Sequence, residues 1–390
     1  MDDKIRTAII GGGISGLALA AGLHKHPHLS VHVDESVPAY RDVGAGLALH
    51  LNAIQAMSLI GPEVRQAYFN KVISISSEED EEMSTQVILS QGPNAGTLVA
   101  ELGRAKGRKS VSRADLLSGF LELVPKTCIT FGRKLVNISQ TTSGVRIEFS
   151  NGQQEDVDCD AINKYYIDPK WTKTVPILLG PRGHVNVIPL NKGTRLNAGV
   201  AVRGGCPASP DAPHNSATTP DPGLYADYTE DAQKIVRMVA GDTSASWKAG
   251  DHDHAPYYCR GRAAMMGDAA HASLPFAGNG AAQALEDAAV LSHLFQNVSR
   301  PEEVEAALRA YDQKRRPSSQ AVLYAYVEED DDGVKIREDP ERPRQFFAAA
   351  AAFTNNADLK RQNDDACALY QKYLDQGKKD GSAEECATHT

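Results

Sequence analysis

Paired cysteines, surplus positive charge and long apolar runs are what this 390-residue chain lacks, and each absence closes off a class of function. Lys and Arg total 41 against 50 Asp and Glu, giving a formal charge of −9 and a pI near 5.8. A nucleic-acid surface needs a basic field, so nucleic acid is not an expected partner. The acidity itself identifies no substrate. Six cysteines (Cys128, Cys159, Cys206, Cys259, Cys367, Cys386) form no CxxC pair. That pattern supplies neither a zinc site nor a disulfide framework, and it fits a reducing compartment. The apolar run Thr7–Leu23 is too short and too glycine-rich to span a bilayer, and no strongly basic flank precedes it. The expectation is a soluble, cytoplasmic protein with no membrane span and no metal.

What is present suffices for a sizeable core, since 42% of the residues are hydrophobic. The length exceeds what one core usually supports, which favours two structural units. Ile5–Ile10 reads as a short buried strand, followed by a glycine turn and an alanine-rich helix over residues 14–25. Leu29–Val33 reads as a second strand, so the chain opens as a βαβ unit of a parallel sheet. A helical pattern through Ile54, Met57 and Leu59 stops at Gly61-Pro62. The acidic run Glu78–Glu82 reads as a solvated loop, and strand-like stretches follow at 86–89 and 97–102. A helix begins at Arg113 and reaches Val124. Residues 129–131, 136–140 and 145–149 read as a β-meander closed by a Ser150-Asn151-Gly152 turn. Residues 175–202 alternate as a pair of antiparallel strands, 203–223 form a loop, and 229–240 form a helix. Arg262–Met266 reads as another buried strand. From Ala281 to Lys378 the pattern is mainly helical, broken at Pro301, Pro317 and Asp330–Asp332, and 379–390 reads as a disordered tail.

Gly11-Gly12-Gly13-Ile14-Ser15-Gly16 satisfies G-x-G-x-x-G between a predicted strand and a predicted helix, the context that the chemistry requires. Gly11 permits the tight turn, Gly13 lets backbone approach a pyrophosphate at the helix N-terminus, and Gly16 lets helix and strand pack closely. An acid is expected where the second strand ends, to accept hydrogen bonds from a ribose. Asp34 and Glu35 both lie there, and Glu35 is the better placed. This motif implies FAD or NAD(P) without choosing between them.

The choice rests on Gly267-Asp268-Ala269-Ala270-His271, continuing through Leu274-Pro275-Phe276-Ala277-Gly278-Asn279-Gly280-Ala281 to Gln283-Ala284-Leu285-Glu286-Asp287-Ala288. A strand ends in an aspartate, and a loop with two spaced glycines enters a long helix. Asp268 suits the hydroxyls of a ribityl chain, and the Gly278/Gly280 loop lets a flat ring press on backbone. The helix N-terminus at Gly280–Ala281 offers N–H donors to an anionic reduced flavin. The string resembles the GD…P..G.G…A.EDA signature of the FAD-dependent aromatic hydroxylases, and within them the salicylate hydroxylase-like enzymes. Val43-Gly44-Ala45-Gly46 and Ser112-Arg113-Ala114-Asp115-Leu116-Leu117 lie in the family's order. The resemblance implies that Glu35 holds the adenosine ribose, Gly46 lies against the flavin, and Arg113 sits near the phosphates and ribityl chain. It further implies that Asp268 binds the ribityl chain, that Ala281 meets the isoalloxazine through its N–H, and that Pro275 borders the reaction space. His50 and His184 are the histidines available as bases in family-like pocket segments, but both read first as buried structural residues. His271 reads as a satisfied structural histidine, and Arg315-Arg316-Pro317 fits either the family or a solvated helix end.

The family's second phosphate motif, a Gly-Ala-Asp-Gly followed by Ser and Arg, is missing. Its run-in Val157–Ile162 is followed instead by Asn163-Lys164-Tyr165-Tyr166-Ile167-Asp168-Pro169. Ile188 and Asp34 also depart from the aromatic and uncharged residues frequent in relatives. The resemblance implies an α/β fold: a Rossmann-like FAD-binding domain (1–75, 105–165, 255–378), an interleaved and shortened β-sheet substrate domain (76–104, 170–254), and a helical C-terminal part. It implies a monooxygenase that takes electrons from NAD(P)H, activates oxygen at flavin C4a as a hydroperoxide, and hydroxylates a small phenolic-acid-like aromatic substrate. The alternative is a catalytically impaired FAD-binding paralogue.

Overall fold

The computed structural model describes residues 4–40, 46–73, 82–106, 108–141, 144–150, 174–190, 195–202, 220–241, 255–273, 278–327, 344–345, 347–348 and 356–387. The chain opens with β1 (Ile5–Ile10), α1 (Ile14–Leu23) and β2 (Leu29–Asp34). Next come β3 (Gly46–Ala48), α2 (Leu51–Ile60), α3 (Pro62–Ile73), β4 (Glu82–Leu89), β5 (Leu98–Lys106), β6 (Ser110–Ser112) and α4 (Arg113–Leu121). The middle carries β7 (Ile129–Thr130), β8 (Lys134–Thr141), β9 (Gly144–Ser150), β10 (Val175–Gly180), β11 (Gly183–Leu190), β12 (Arg195–Val202) and α5 (Glu230–Ala240). The last third holds β13 (Cys259–Arg260), β14 (Ala263–Ala264), α6 (Asp268–His271), α7 (Gly280–Phe295), α8 (Val304–Val327) and α9 (Leu359–Ala387).

Local chemistry accounts for the helix boundaries. Pro62 opens α3, where its missing N–H costs nothing, so Gly61-Pro62 ends one helix and begins the next. The Ser112 hydroxyl caps α4 by accepting from the Asp115 N–H at 3.0 Å. Both α1 and α7 are buried along most of their length, α1 with apolar residues nearly all round and α7 with Gln283, Glu286 and Asp287 among its buried residues.

β1, β2 and β7 form a parallel sheet with β2 in the centre. A second, five-stranded sheet runs β12-β11-β10-β4-β5, with β10 and β4 parallel and every other pair antiparallel. The apolar cores separate accordingly. One cluster joins Ile5–Val72, Val111–Val124, Tyr258–Tyr311 and Leu359–Tyr370. Smaller clusters lie on the five-stranded sheet, where Val185 and Val187 pack with Ile235 and Val236 of α5.

Five sequence expectations need correction. The stretch 129–149 is not a meander: β7 joins the parallel sheet beside β2, and only β8 and β9 form a hairpin. Gly132, at φ +74°, turns the chain away after two paired residues. Residues 175–202 give three strands rather than two, β10 pairing with β11 and β11 with β12, each antiparallel. Arg262–Met266 contributes only the two-residue strand β14, half-buried to exposed, opposite β13. Helix α8 runs on through Pro317; the Ser318 and Ser319 hydroxyls donate to the carbonyls of Lys314 and Arg315 in that turn. Helix α9 continues to Ala387 through most of the expected tail, whose Lys, Glu and Ala residues are good helix formers. The Asn151-Gly152 turn, the Asn163–Pro169 replacement and Asp330–Asp332 lie outside the described residues.

Candidate functional site

The glycine turn has the geometry that its spacing demands. Gly11 adopts φ +100°, and its N–H donates to the Asp34 carbonyl at 2.8 Å, tying the turn to the end of β2. A Cβ on Gly16 would overlap the Gly11 carbonyl oxygen, so α1 and β1 meet backbone to backbone. A Cβ on Gly13 would meet nothing within 4 Å. Gly13 is the N-cap of α1 and brings no side-chain cap, which leaves the first-turn N–H groups open to an anion.

Glu35 lies against this turn. Its carboxylate accepts from the Gly12 N–H at 2.6 Å, from the Ser36 hydroxyl at 2.9 Å and from the Val37 N–H at 2.9 Å. Asp34, by contrast, is turned away and paired with Arg133 at 3.0 Å. Tyr40 donates to the Gly12 carbonyl at 2.5 Å. Burial, together with the Glu35 charge, raises the Tyr40 phenol, while the nearby Arg113 guanidinium acts in the opposite direction. Arg113 is exposed as the first residue of α4, immediately after the β3–β6 pair that aligns Gly46 with Ser112.

Gly267 completes the arrangement from the other end of the chain. Its φ is +59°, and a Cβ there would stand 2.9 Å from Ser15 Oγ, so Asp268 emerges beside the start of α1, exposed to solvent. Gly278 adopts φ +58° ahead of α7, and a Cβ on Gly280 would meet nothing within 4 Å. Helix α7 likewise has no side-chain cap at its N-terminus. Asn279 and His50 are both buried beside this turn; among the described residues Asn279 Nδ2 has no hydrogen-bond partner, nor has His50 Nδ1 on the far side of its ring, towards Gly103. Two uncapped helix N-termini and two glycines, Gly13 and Gly280, where a Cβ would meet no described atom within 4 Å, form a surface that fits a dinucleotide with a flat ring.

A buried charge network holds the Gly267 and Gly278 ends together. Arg315 is fully buried and donates to Glu286 at 2.7 Å and to Asp287 at 2.8 Å. The second Asp287 oxygen accepts from the Gly267 N–H at 2.8 Å and bonds His271 Nε2 at 2.6 Å. Glu286 also accepts from Asn52 at 2.8 Å, and Asn52 reaches Asn279 at 3.2 Å. Burial raises the Glu286 carboxyl. For Asp287 burial pushes upward too, but the charges of His271 and Arg315 outweigh it and hold that carboxyl down. His271 is therefore a partnered structural residue, and Arg315 is no solvated helix end.

The substrate-side residues are more scattered. The Gly46 N–H donates to Asn197 Oδ1 at 3.0 Å, and a Cβ on Gly46 would stand 2.8 Å from Ile188 Cγ2. This contact joins β3 to the five-stranded sheet, and the Ser110 hydroxyl repeats the link by donating to the Pro189 carbonyl. His184, Asn186 and Ile188 alternate with the core residues Val185 and Val187, so they occupy the sheet face opposite α5. His184 is half-buried, and burial pushes its imidazole down to about 4. It lies about 13 Å along the strand from the Gly46 contact, so the fold does not bring it to Gly46. Pro275 lies outside the described residues.

Arg108 went unnoticed in the sequence. It is fully buried and donates to the carbonyls of Leu49, Leu102, Gly103 and Ala48 and to Thr85 Oγ1, at 2.7–3.3 Å. It thereby stitches β3 to β4 and β5. Burial pushes its guanidinium down to about 10, which leaves it charged at neutral pH.

Comparison with known proteins completes the assignment. A family model described as an FAD binding domain matches residues 177–325. Salicylate hydroxylase from Pseudomonas putida is 30% identical over 376 residues, covering 83% of this chain and 84% of the relative. The chain belongs to the FAD-dependent aromatic monooxygenases. This monooxygenase is also 29% identical to 6-methylsalicylate 1-monooxygenase from Aspergillus terreus over 437 residues, covering 98% of this chain and 95% of the relative. An alignment longer than the 390-residue chain itself means that the relative carries residues which this monooxygenase lacks. A solved salicylate hydroxylase substrate complex shares the fold with a TM-score of 0.67 at 24% identity, covering 94% of this chain and 98% of that one. Klebsiella pneumoniae HpxO complexed with FAD and uric acid shares it with a TM-score of 0.59 at 18% identity, covering 94% and 97%. The fold is therefore the α/β fold of these flavoproteins, and FAD is the cofactor of the enzyme class. Among the described residues no helix is long and apolar enough to cross a membrane.

Proposed function

We propose that this monooxygenase hydroxylates a phenolic aromatic acid, with NAD(P)H as electron donor and molecular oxygen as co-substrate. The observation that carries this reading is the Gly46 junction, which sets the dinucleotide-binding half directly against the face of the five-stranded sheet opposite α5. The names of the salicylate and 6-methylsalicylate relatives support the substrate class.

Under this reading Gly11, Gly13 and Gly16 admit the pyrophosphate to the N-terminus of α1, and Glu35 accepts from the adenosine ribose. Arg113 stands by the phosphates, and Asp268 accepts from the ribityl hydroxyls. Gly46 and the turn through Gly278, Gly280 and Ala281 border the isoalloxazine, with the α7 N-terminus stabilising negative charge on the reduced ring. When bound, FAD supplies the electron storage and the oxygen chemistry; the protein's part is to orient the two partners and exclude water. His184 and Pro275 belong to the aromatic-substrate side. The separation of the apolar cores supports an FAD-binding domain of 1–75, 105–165 and 255–378 beside a substrate domain of 76–104 and 170–254.

Flavin content of the purified protein, followed by NAD(P)H oxidation with and without salicylate, tests this reading. Substrate-stimulated oxidation with a hydroxylated product is expected. A protein that takes up no flavin, or oxidises NAD(P)H without modifying any phenolic acid, refutes it. One sequence feature favours a second reading, a paralogue reduced only slowly: Tyr165, Tyr166 and Pro169 replace a Gly-Asp-Gly turn and cannot reproduce its close backbone approach. Slow NAD(P)H reduction alongside normal dithionite reduction would select it.

A further inference from the structure

His50 has surroundings that core packing alone does not explain. It precedes α2, is 7% exposed, and lies between the substrate sheet and the turn that opens α7. On one side its Nδ1 faces Gly103 of β5, a residue at φ +57° whose missing side chain makes room for the ring. Arg108 Nη1 converges on the same point, 3.2 Å from where a Gly103 Cβ would be. On the other side His50 Nε2 faces Gly278, 4.0 Å from where a Cβ would stand.

The two sides differ electrostatically. The buried Arg108 cation next to Nδ1 favours a lone pair there, which places the single proton of a neutral ring on Nε2. Burial, reinforced by the Arg108 charge, pushes the imidazole down to about 3, so the ring is neutral at any working pH. The Nε2–H then faces the Gly278 turn that leads into the N-terminus of α7, which has no side-chain cap. Donors from two separate elements, the segment before α2 and the first turn of α7, thus meet at one turn.

We propose that His50 is a ligand-contacting residue, whose Nε2–H donates to an oxygen of the group bound against the Gly278–Gly280 turn. That oxygen belongs either to a carbonyl of the isoalloxazine or to the carboxylate or phenolate of the aromatic substrate. The inference rests on the functional reading above and extends it to one atom of this chain.

The test compares the wild-type protein with His50→Phe, which fills the site without a donor, and with His50→Gln, which restores one. FAD affinity is read from quenching of flavin fluorescence, and aromatic-acid affinity from perturbation of the bound flavin spectrum by salicylate. If the acceptor is the isoalloxazine, His50→Phe weakens FAD binding about tenfold and shifts the bound flavin spectrum, and His50→Gln recovers both. If the acceptor is on the substrate, FAD affinity holds, salicylate affinity falls by a similar factor, and His50→Gln recovers it. The FAD arm decides alone if salicylate does not bind. Unchanged affinities and spectrum in His50→Phe overturn the proposal. So does equal weakening in both variants, which marks mere packing. A wild-type protein that binds no FAD overturns the functional reading instead, and this inference with it.

Discussion

Replacing Gly13 and Gly16 one at a time separates cofactor binding from folding. Gly13 has φ −70°, which alanine adopts freely, and its added methyl would touch no atom of the described residues within 4 Å. Gly13→Ala should leave the flavin-free fold intact or stabilise it by about 0.4–1 kcal/mol, since alanine has less freedom to lose. The same methyl stands where a pyrophosphate oxygen must approach the α1 N–H groups. Losing one charge-assisted hydrogen bond, about 1.5–3 kcal/mol, lowers FAD affinity about 10- to 100-fold. Gly16→Ala acts differently, because its methyl overlaps the Gly11 carbonyl and forces β1 and α1 apart. That overpacking costs about 1–3 kcal/mol of stability, and FAD affinity falls with it. Thermal unfolding without FAD and fluorescence titration with FAD measure the two effects independently. A Gly13→Ala protein that binds FAD as tightly as the wild type would remove the pyrophosphate from this turn.

Arg315→Met should destabilise the protein by about 3–5 kcal/mol, because Glu286 and Asp287 would remain buried without their cation; a urea-denaturation loss below about 1 kcal/mol would contradict that. His50 supplies a pH dependence. Its folded-state value of about 3 lies below its ordinary 6.5, so the unfolded chain takes up the proton first and stability falls as pH drops from 6.5 towards 3. The loss amounts to about 2 kcal/mol at pH 5, and His50→Phe should remove it; an equally steep acid loss in that variant would show that His50 is not its source. Asp268→Ala should weaken FAD binding by about 1.5–3 kcal/mol, read by fluorescence titration; unchanged FAD affinity would remove Asp268 from the site.

The parts of the site legible in the sequence are those made by neighbours in the chain. Gly11, Gly13, Gly16 and Glu35 belong to one βαβ unit, so spacing and strand–helix context placed them where the fold has them. The Gly267–Ala288 block was readable for the same reason, as a turn and the helix it enters. Arg108 and Asn197 were not, because their partners come from distant segments and nothing local distinguishes a buried cation from a surface one. Arg315 illustrates the ambiguity: the same Arg-Arg-Pro reads as a solvated helix end until Glu286 and Asp287 are seen facing it. Strand β7 was misplaced because a two-residue strand carries too little pattern to reveal whether it pairs within a hairpin or with β2.

The proposed hydroxylation is decided by turnover under labelled molecular oxygen. Flavin-loaded protein turned over with NAD(P)H and salicylate should place one labelled oxygen atom in the hydroxylated product. Electrons recovered wholly as hydrogen peroxide, with unlabelled and unmodified salicylate and related phenolic acids, would contradict it.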